Sequence, residues 1–190
     1  MRNVIYVTSI SLDGYIGAEN GDSSWVIPDE ELHRHFNEQE ALFDMHLYGR
    51  RMYELMAAYW STVEENPAAP VYEIEYAQIW KQMPKVVFSQ TLDHVDWNAR
   101  LVASDAVAEV ARLKQQPGKA MYIGGSALAT NLADHDLIDE YHLYVMPTIL
   151  GAGVPLFPRL RERLQLELFD MQRFTSGVAL LKYRRVESVG

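Results

Sequence analysis

Strand-like and helix-like segments alternate along most of this 190-residue chain. The first is an apolar, β-branched run, Val4–Ile10, and a helical pattern of leucine and phenylalanine follows it over residues 28–43. Strands that alternate with helices form parallel sheets, because a parallel pair needs a long crossover connection. Only the last two strand patterns, 164–174 and 178–186, are joined by a tight turn, at Ser176-Gly177. The alternation predicts a three-layer α/β/α domain with a mixed, mostly parallel central sheet and a C-terminal antiparallel hairpin.

The remaining segments fit the same scheme. Further strands are predicted at 45–48, 85–89, 101–103, 120–123 and 138–150, and further helices at 50–63, 71–82, 105–115 and 126–132. No internal repeat, low-complexity tract or flexible linker interrupts them. The composition, 48% hydrophobic and 23% charged, is ordinary for a globular protein. We therefore expect residues 1–190 to form a single domain.

Composition excludes several classes of function. The chain has no cysteine, which removes disulfides, thiolate metal sites and cysteine nucleophiles. Its formal charge of −9 repels phosphate backbones, so we expect no nucleic-acid partner. No targeting signal and no membrane-spanning stretch are recognisable, which predicts a cytoplasmic protein without membrane contact. The six histidines form neither an H-E-x-x-H motif nor a cluster with carboxylates along the sequence, so no metal site is predicted.

Two strand-to-helix junctions are candidate phosphate sites. Gly124-Gly125-Ser126 could let a ligand approach the backbone at the start of a helix, or could simply form a tight turn. Gly49-Arg50-Arg51 places two cations at the positive end of a helix, which favours a bound anion over solvent. The alternative for Arg50 and Arg51 is two solvated side chains.

A long connection between the first strand and the first helix is a candidate binding loop. It runs over residues 13–25 and carries the apolar anchors Tyr15, Ile16 and Trp25. The alternative is a wide loop with a buried tryptophan. Glu30 and Glu31, just beyond it, could place a carboxylate at the edge of a pocket, or could only favour the helix N-terminus.

These motifs occur in a distinctive order. They are Ser11-Leu12-Asp13-Gly14-Tyr15-Ile16, followed by Gly17-Ala18-Glu19-Asn20, then Trp25-x-x-Pro28, Tyr48-Gly49-Arg50-Arg51, Val87-Phe88-Ser89, Ile123-Gly124-Gly125 and the Gly- and Pro-rich segment 147–157. In this order the chain resembles the dihydrofolate reductase superfamily from about residue 4 to residue 186. The motifs at 11–16 and 147–157 are similar to the branch that contains the C-terminal reductase domain of the bifunctional riboflavin-biosynthesis protein.

The resemblance implies NADPH as the cofactor and a role for each matching segment. Gly49 and Arg50, with Arg51 as a helper, would receive a cofactor phosphate, and Ser89 would lie beside the adenosine. Gly124, Gly125 and Ser126 correspond to the turn that cradles the pyrophosphate. Ile16, Gly17 and Ala18 belong to the loop beside the nicotinamide. Homodimerisation through the C-terminal strands is also expected from the resemblance.

On the substrate side, the resemblance places the carboxylate that follows W-x-x-P at Glu30, or at Glu31 if the register shifts by one. At the base of an apolar pocket such a group holds a raised pKa and assists protonation of the substrate. Asp13 and Trp25, in the candidate binding loop, are expected to contact the substrate. Residues 52–80 contain five acids and no Lys or Arg, which argues against the anionic tail of folate.

The sequence thus predicts an oxidoreductase that transfers hydride from NADPH to a small pterin-like or pyrimidine-like heterocycle. The alternative is a nucleotide-binding module that keeps the fold without turnover, because a fold alone does not fix a function.

Overall fold

A computed structural model describes residues 1–19, 22 and 24–186 and confirms the alternation of strands and helices. Asn20, part of one predicted motif, lies outside the described residues. The described strands are β1 (Val4–Ile10), β2 (Tyr15–Gly17), β3 (Phe43–Gly49), β4 (Lys85–Phe88), β5 (Ala99–Val102), β6 (Ala120–Gly124), β7 (Glu140–Val145), β8 (Val154–Pro155), β9 (Leu166–Arg173) and β10 (Ala179–Arg185). The described α-helices are α1 (Glu30–Gln39), α2 (Arg50–Trp60), α3 (Val71–Gln82), α4 (Ala106–Lys114) and α5 (Ser126–Ala133), with short 3₁₀ turns at Glu40–Leu42 and Val63–Glu65.

Eight strands form one sheet in the order β5-β4-β3-β6-β1-β7-β10-β9. The first six are mutually parallel, whereas β10 is antiparallel to both β7 and β9. The predicted mixed sheet with a C-terminal hairpin is therefore confirmed. Strands β3, β4 and β5 lie on one side of β1 and β6, and β7 lies on the other. The direction in which successive strands are added to the sheet therefore reverses at its middle.

Helices pack on both faces of this sheet, because successive side chains of a strand point to opposite faces. Leu47 of β3 joins the main apolar cluster, which also contains Val110 of α4 and Leu132 of α5. The next residue, Tyr48, packs on the opposite face with Tyr53 of α2. Leu32 of α1 is buried in a second apolar cluster, which it forms with residues of β7 and β10. These layers place the starts of α2 and α5 at one edge of the sheet.

Several predicted boundaries need correction. The strand expected at 138–150 begins at Glu140 and ends at Val145. Met146 donates the last hydrogen bond to β1, at the Ile10 carbonyl, where β1 itself ends, and Pro147 has no N–H to continue the pairing. The helix expected at 50–63 ends at Trp60, where the Thr62 hydroxyl donates to the Tyr59 carbonyl.

The loop expected over residues 13–25 contains strand β2, which pairs with β8. The two strands approach so closely that a Cβ built on Gly153 would lie 2.2 Å from the carbonyl oxygen of Gly17. Neither short strand was predicted.

Candidate active site at the carboxyl edge of the sheet

The predicted cofactor segments meet at one edge. Gly49 and Gly124 are the last residues of β3 and β6, and Ser89 follows β4 directly. The strand register puts Tyr48 beside Gly124 and Gly49 beside Phe88. In open α/β sheets, ligands bind outside the carboxyl ends of the strands, where the strand order reverses. The fold therefore brings Gly49, Ser89 and Gly124 to the location where such a sheet binds a ligand.

The start of α2 has the features of an anion site. Its N-cap is Gly49, no side chain caps the helix, and its first turn contains no acidic residue. Gly49 has an ordinary φ of −79°, and a Cβ built on it would meet only Leu128 Cβ at 4.0 Å. The protein's own packing thus leaves room for a larger side chain at this position. The close approach of a ligand to the backbone would be a reason for glycine here. Arg50 and Arg51 are exposed, and Arg50 Nη1 lies 3.8 Å from Glu54 Oε1.

The start of α5 is a tighter glycine turn. A Cβ on Gly124 would lie 2.9 Å from Tyr48 Cε1, so this position has no room for a side chain. Gly125 is the N-cap of α5 with a φ of +96°, a conformation that favours glycine, and no side chain caps the helix. Ser126, the first helical residue, is buried. Two helices that no described side chain caps thus begin side by side at this edge.

Ser89 and the β2 segment are held by contacts within the protein. The Ser89 hydroxyl accepts hydrogen bonds from the backbone N–H groups of Thr91 (3.1 Å) and Leu92 (3.0 Å), which orders the turn after β4. Ile16 and Gly17 lie in β2 and are fixed by its pairing with β8. The Ala18 N–H donates to the Asp22 carbonyl at 3.0 Å.

Asp13 joins two loops. Its carboxylate accepts hydrogen bonds from the Ser11 hydroxyl (2.6 Å) and from the backbone N–H groups of Leu150 (3.1 Å) and Gly151 (2.7 Å). These bonds, first of all that of Ser11, lower the pKa of Asp13. Both oxygens therefore already bind protein donors. The contact with substrate predicted for Asp13 stays a prediction.

The two glutamates have a different setting from the one expected. Glu30 is not in an apolar pocket: its Oε1 lies 2.9 Å from Arg34 Nε and its side chain is 62% exposed. Glu31 is exposed and accepts hydrogen bonds from the Thr175 hydroxyl and from the Thr175 N–H at 3.0 Å. These bonds lower the pKa of Glu31, the reverse of the raised pKa expected. The apolar setting was wrong for both carboxylates, and their catalytic role stays a prediction.

Trp25 is half-buried against the apolar cluster that holds Leu32, Tyr144 and Phe174. Its Nε1 is buried without a hydrogen-bond partner among the described residues. The substrate contact predicted for Trp25 is likewise untested.

A buried polar cluster lies beneath this edge and was missed. Glu40, in the 3₁₀ turn after α1, accepts hydrogen bonds at Oε2 from His46 Nε2 (2.7 Å) and at Oε1 from Tyr76 Oη (3.1 Å). His46 Nδ1 in turn lies 2.7 Å from Tyr48 Oη. Burial raises the pKa of Tyr48 and of Tyr76 well above the ordinary value. A histidine–carboxylate pair thus exists in the fold, although the two residues form no motif in the sequence.

Two cavities lie away from the carboxyl edge. One, of about 210 Å³, is lined by Met45, Lys85 and Arg100 among others, and the other, of about 360 Å³, lies between α1 and α3. Neither contains a predicted site residue. In the described ranges, no group of three or more His, Asp or Glu side chains could hold a metal ion. No helix within those same ranges has the length and apolar character needed to cross a bilayer.

The fold is that of the dihydrofolate reductase-like class, a mixed sheet with helices on both faces and glycine-initiated helices at its carboxyl edge. More specifically, the chain belongs to the RibD C-terminal domain family, whose model matches residues 2–180.

Among curated proteins, the uncharacterized protein YyaP of Bacillus subtilis (strain 168) is 32% identical over 183 residues, which cover 96% of this chain and 94% of YyaP. A solved protein of Shewanella sp. PV-4, described as a candidate riboflavin biosynthesis protein, is 25% identical with a TM-score of 0.78. The match covers 98% of this chain and 100% of the Shewanella chain.

Two more distant solved structures share the fold alone. The diaminohydroxyphosphoribosylaminopyrimidine deaminase/5-amino-6-(5-phosphoribosylamino)uracil reductase of Thermotoga maritima is 16% identical with a TM-score of 0.66, and the match covers 97% of this chain and 57% of that one. The dihydrofolate reductase of Enterococcus faecalis, solved with NADP(H), is 14% identical with a TM-score of 0.60 and covers 97% of both chains.

Proposed function

We propose that this protein is an NADPH-dependent reductase of a small pterin-like or pyrimidine-like heterocycle. One observation carries the proposal: the uncapped starts of α2 and α5 lie side by side at the carboxyl edge of the sheet, and each begins at a glycine. Two helix starts can bind two separate phosphate groups of a dinucleotide. The RibD C-terminal domain family and the dihydrofolate reductase solved with NADP(H) support the same cofactor.

The residues of this edge fit that cofactor. We assign the additional phosphate of NADPH to the start of α2, where Gly49 leaves room and Arg50 and Arg51 supply charge. The pyrophosphate is assigned to Gly124, Gly125 and Ser126. The turn at Ser89 would border the adenosine, and Ile16, Gly17 and Ala18 would border the nicotinamide.

NADPH supplies the hydride, and the protein's own groups orient the substrate and deliver the proton. Of the two candidate carboxylates we favour Glu30 as the proton donor, because Glu31 is engaged by Thr175. For that role, Glu30 would have to leave Arg34 when a substrate covers it. Trp25 would then form an apolar wall of the substrate pocket.

The experiment that tests this function is a turnover assay. Purified protein is mixed with NADPH and a panel of pterins and pyrimidines, and the loss of reduced nicotinamide is followed by absorbance. We expect multiple turnovers with at least one heterocycle, and a loss of turnover in Glu30→Gln with unchanged NADPH binding. Absence of NADPH binding in calorimetry would overturn the proposed function.

The alternative function, a nucleotide-binding module without turnover, is favoured by one observation. Asp13 and Glu31, two of the carboxylates predicted on the substrate side, already accept hydrogen bonds from the protein. Under this alternative, NADPH binds tightly but no compound of the panel is reduced.

We further propose that the protein is a homodimer formed through β9. This strand lies at the edge of the sheet, and its Leu168, Phe169 and Met171 are exposed. An edge strand with apolar side chains readily pairs with a second copy. Light scattering should show a dimer that Leu168→Glu converts to a monomer, whereas Leu55→Glu, at an exposed leucine of α2, should leave it intact.

A further inference from the structure

A continuous line of buried hydrogen bonds crosses the α1–α3 face of the sheet. It begins at Glu40, directly after α1, passes through His46 and ends at Tyr48, directly before Gly49. All three side chains are buried, and His46 and Tyr48 are fully inaccessible. No sequence motif and no assigned role accounts for polar groups at this depth, where each unpaired group would be costly.

The hydrogen-bond directions depend on the tautomer of His46. In the tautomer that carries its proton on Nε2, this atom donates to the Glu40 carboxylate and Nδ1 is left as an acceptor. The Tyr48 hydroxyl therefore donates to His46 Nδ1, at 2.7 Å. Tyr76 also donates to Glu40, but it has no hydrogen bond to His46 or Tyr48 among the described contacts. The carboxylate thus orients the imidazole, and the imidazole orients the Tyr48 ring.

The Tyr48 ring touches the glycine turn. Its Cε1 is the nearest atom to a Cβ built on Gly124, at 2.9 Å, and Tyr122 and Met52 each follow at 3.1 Å. Gly124 leads directly into Gly125, the N-cap of α5. The Tyr48 ring therefore packs on the side of Gly124 where a side chain would stand, directly before the start of α5.

We propose that Glu40 and His46 are positioning residues, which hold Tyr48 against Gly124 and so fix the direction of the free N–H groups at the start of α5. The line connects the end of α1 to the turn assigned to the pyrophosphate. Its effect on ligand binding rests on the proposed function. Its effect on the turn itself does not.

The test uses four variants of the full chain. Tyr48→Phe removes the last hydroxyl but keeps the ring, and His46→Leu breaks the line, whereas His46→Gln retains an amide that can both donate and accept. Tyr76→Phe is the matched control. Like Tyr48→Phe it removes one buried tyrosine hydroxyl, but that hydroxyl is bonded to Glu40 and its loss leaves the line from Glu40 to Tyr48 intact. Amide hydrogen exchange of the 120–128 segment is measured without ligand, and NADPH affinity is measured by calorimetry.

We expect exchange in 120–128 to accelerate about tenfold in Tyr48→Phe and His46→Leu, and NADPH to bind about 5- to 10-fold more weakly. His46→Gln should recover much of both losses. Tyr76→Phe should change both by less than about twofold, even where its melting temperature falls. Unchanged exchange in Tyr48→Phe, or an equal rise in Tyr76→Phe, would overturn the proposal. Altered exchange in a protein that does not bind NADPH would overturn the proposed function instead.

Discussion

Helices α1 and α2 begin in opposite ways. At α1, the Asp29 side chain accepts a hydrogen bond from the Leu32 N–H at 2.9 Å, and Glu30 and Glu31 fill the first turn with negative charge. At α2, the N-cap is glycine without a side-chain bond, and the first two residues are arginines. Acidic residues stabilise a helix start, whereas cations destabilise it unless an anion is bound.

The difference separates stability from binding. Helix α1 satisfies one of its first N–H groups, that of Leu32, with the side chain of its own N-cap residue, Asp29. Helix α2, like α5, leaves these groups unsatisfied by any side chain at the carboxyl edge of the sheet. We infer that the missing caps of α2 and α5 leave their first N–H groups to a phosphate, whereas α3, to which no phosphate is assigned, also begins without a side-chain cap.

The largest effect is expected when α2 receives the type of cap that α1 has. Gly49→Asp would place a carboxylate where a phosphate is proposed to bind, so NADPH affinity should fall about 100-fold or more in calorimetry. The unfolding free energy of the unliganded protein should rise by a few tenths of a kcal/mol, because aspartate caps helices slightly better than glycine. Unchanged NADPH affinity would place the phosphate elsewhere.

A smaller effect is expected from removal of the cations of α2. Arg50→Ala combined with Arg51→Ala should weaken NADPH about 10-fold or more but NADH much less, because only NADPH carries the additional phosphate. Arg112→Ala, at an exposed arginine of α4, is the control and should change neither affinity. Equal losses for both cofactors would contradict the assignment of this phosphate to α2.

The cap of α1 should affect stability alone. Asp29→Ala removes the acceptor for the Leu32 N–H and should lower the unfolding free energy by about 1 kcal/mol in urea titrations. NADPH affinity should stay within about twofold of the wild type. A large loss of affinity would show that the two helix starts are not independent.

The smallest effect is a pH dependence at Glu31. Its pKa is lowered from the ordinary 4.5 by the hydrogen bonds of Thr175, so the charged form is favoured by folding. That contribution is fully present above pH 4.5 and is lost as the pH falls through the lower pKa of the folded state. The wild type should therefore melt at a slightly higher temperature than Glu31→Gln at neutral pH, with the difference vanishing in acid.

Local patterns were sufficient for the elements that depend on local physics. Strand β1 and helix α3 have the bounds that periodicity predicts, Val4–Ile10 and Val71–Gln82. Strands β2 and β8 were missed, because each is too short to show a period and exists only through pairing across about 140 residues.

The candidate site was predicted unevenly for the same reason. Glycines at the ends of strands mark the carboxyl edge of the sheet within a few residues, whereas the surroundings of Glu30 depend on Arg34 and those of Glu31 on Thr175. Glu40, His46 and Tyr76 come from three separate elements, so no spacing in the sequence could show that they meet. The one available signal was the pair of polar residues at 46 and 48, which share a face of a buried strand.

The central position of β1 has a consequence for synthesis on the ribosome. This strand pairs with β6 on one side and with β7 on the other, and β6 begins more than 100 residues after β1 ends. At translation rates of about 5–20 residues per second, β1 remains without its partners for roughly 5 to 20 s. Its Val4 and Tyr6, both fully buried in the folded protein, are exposed during that interval. The first strand to be made is thus among the last to be paired.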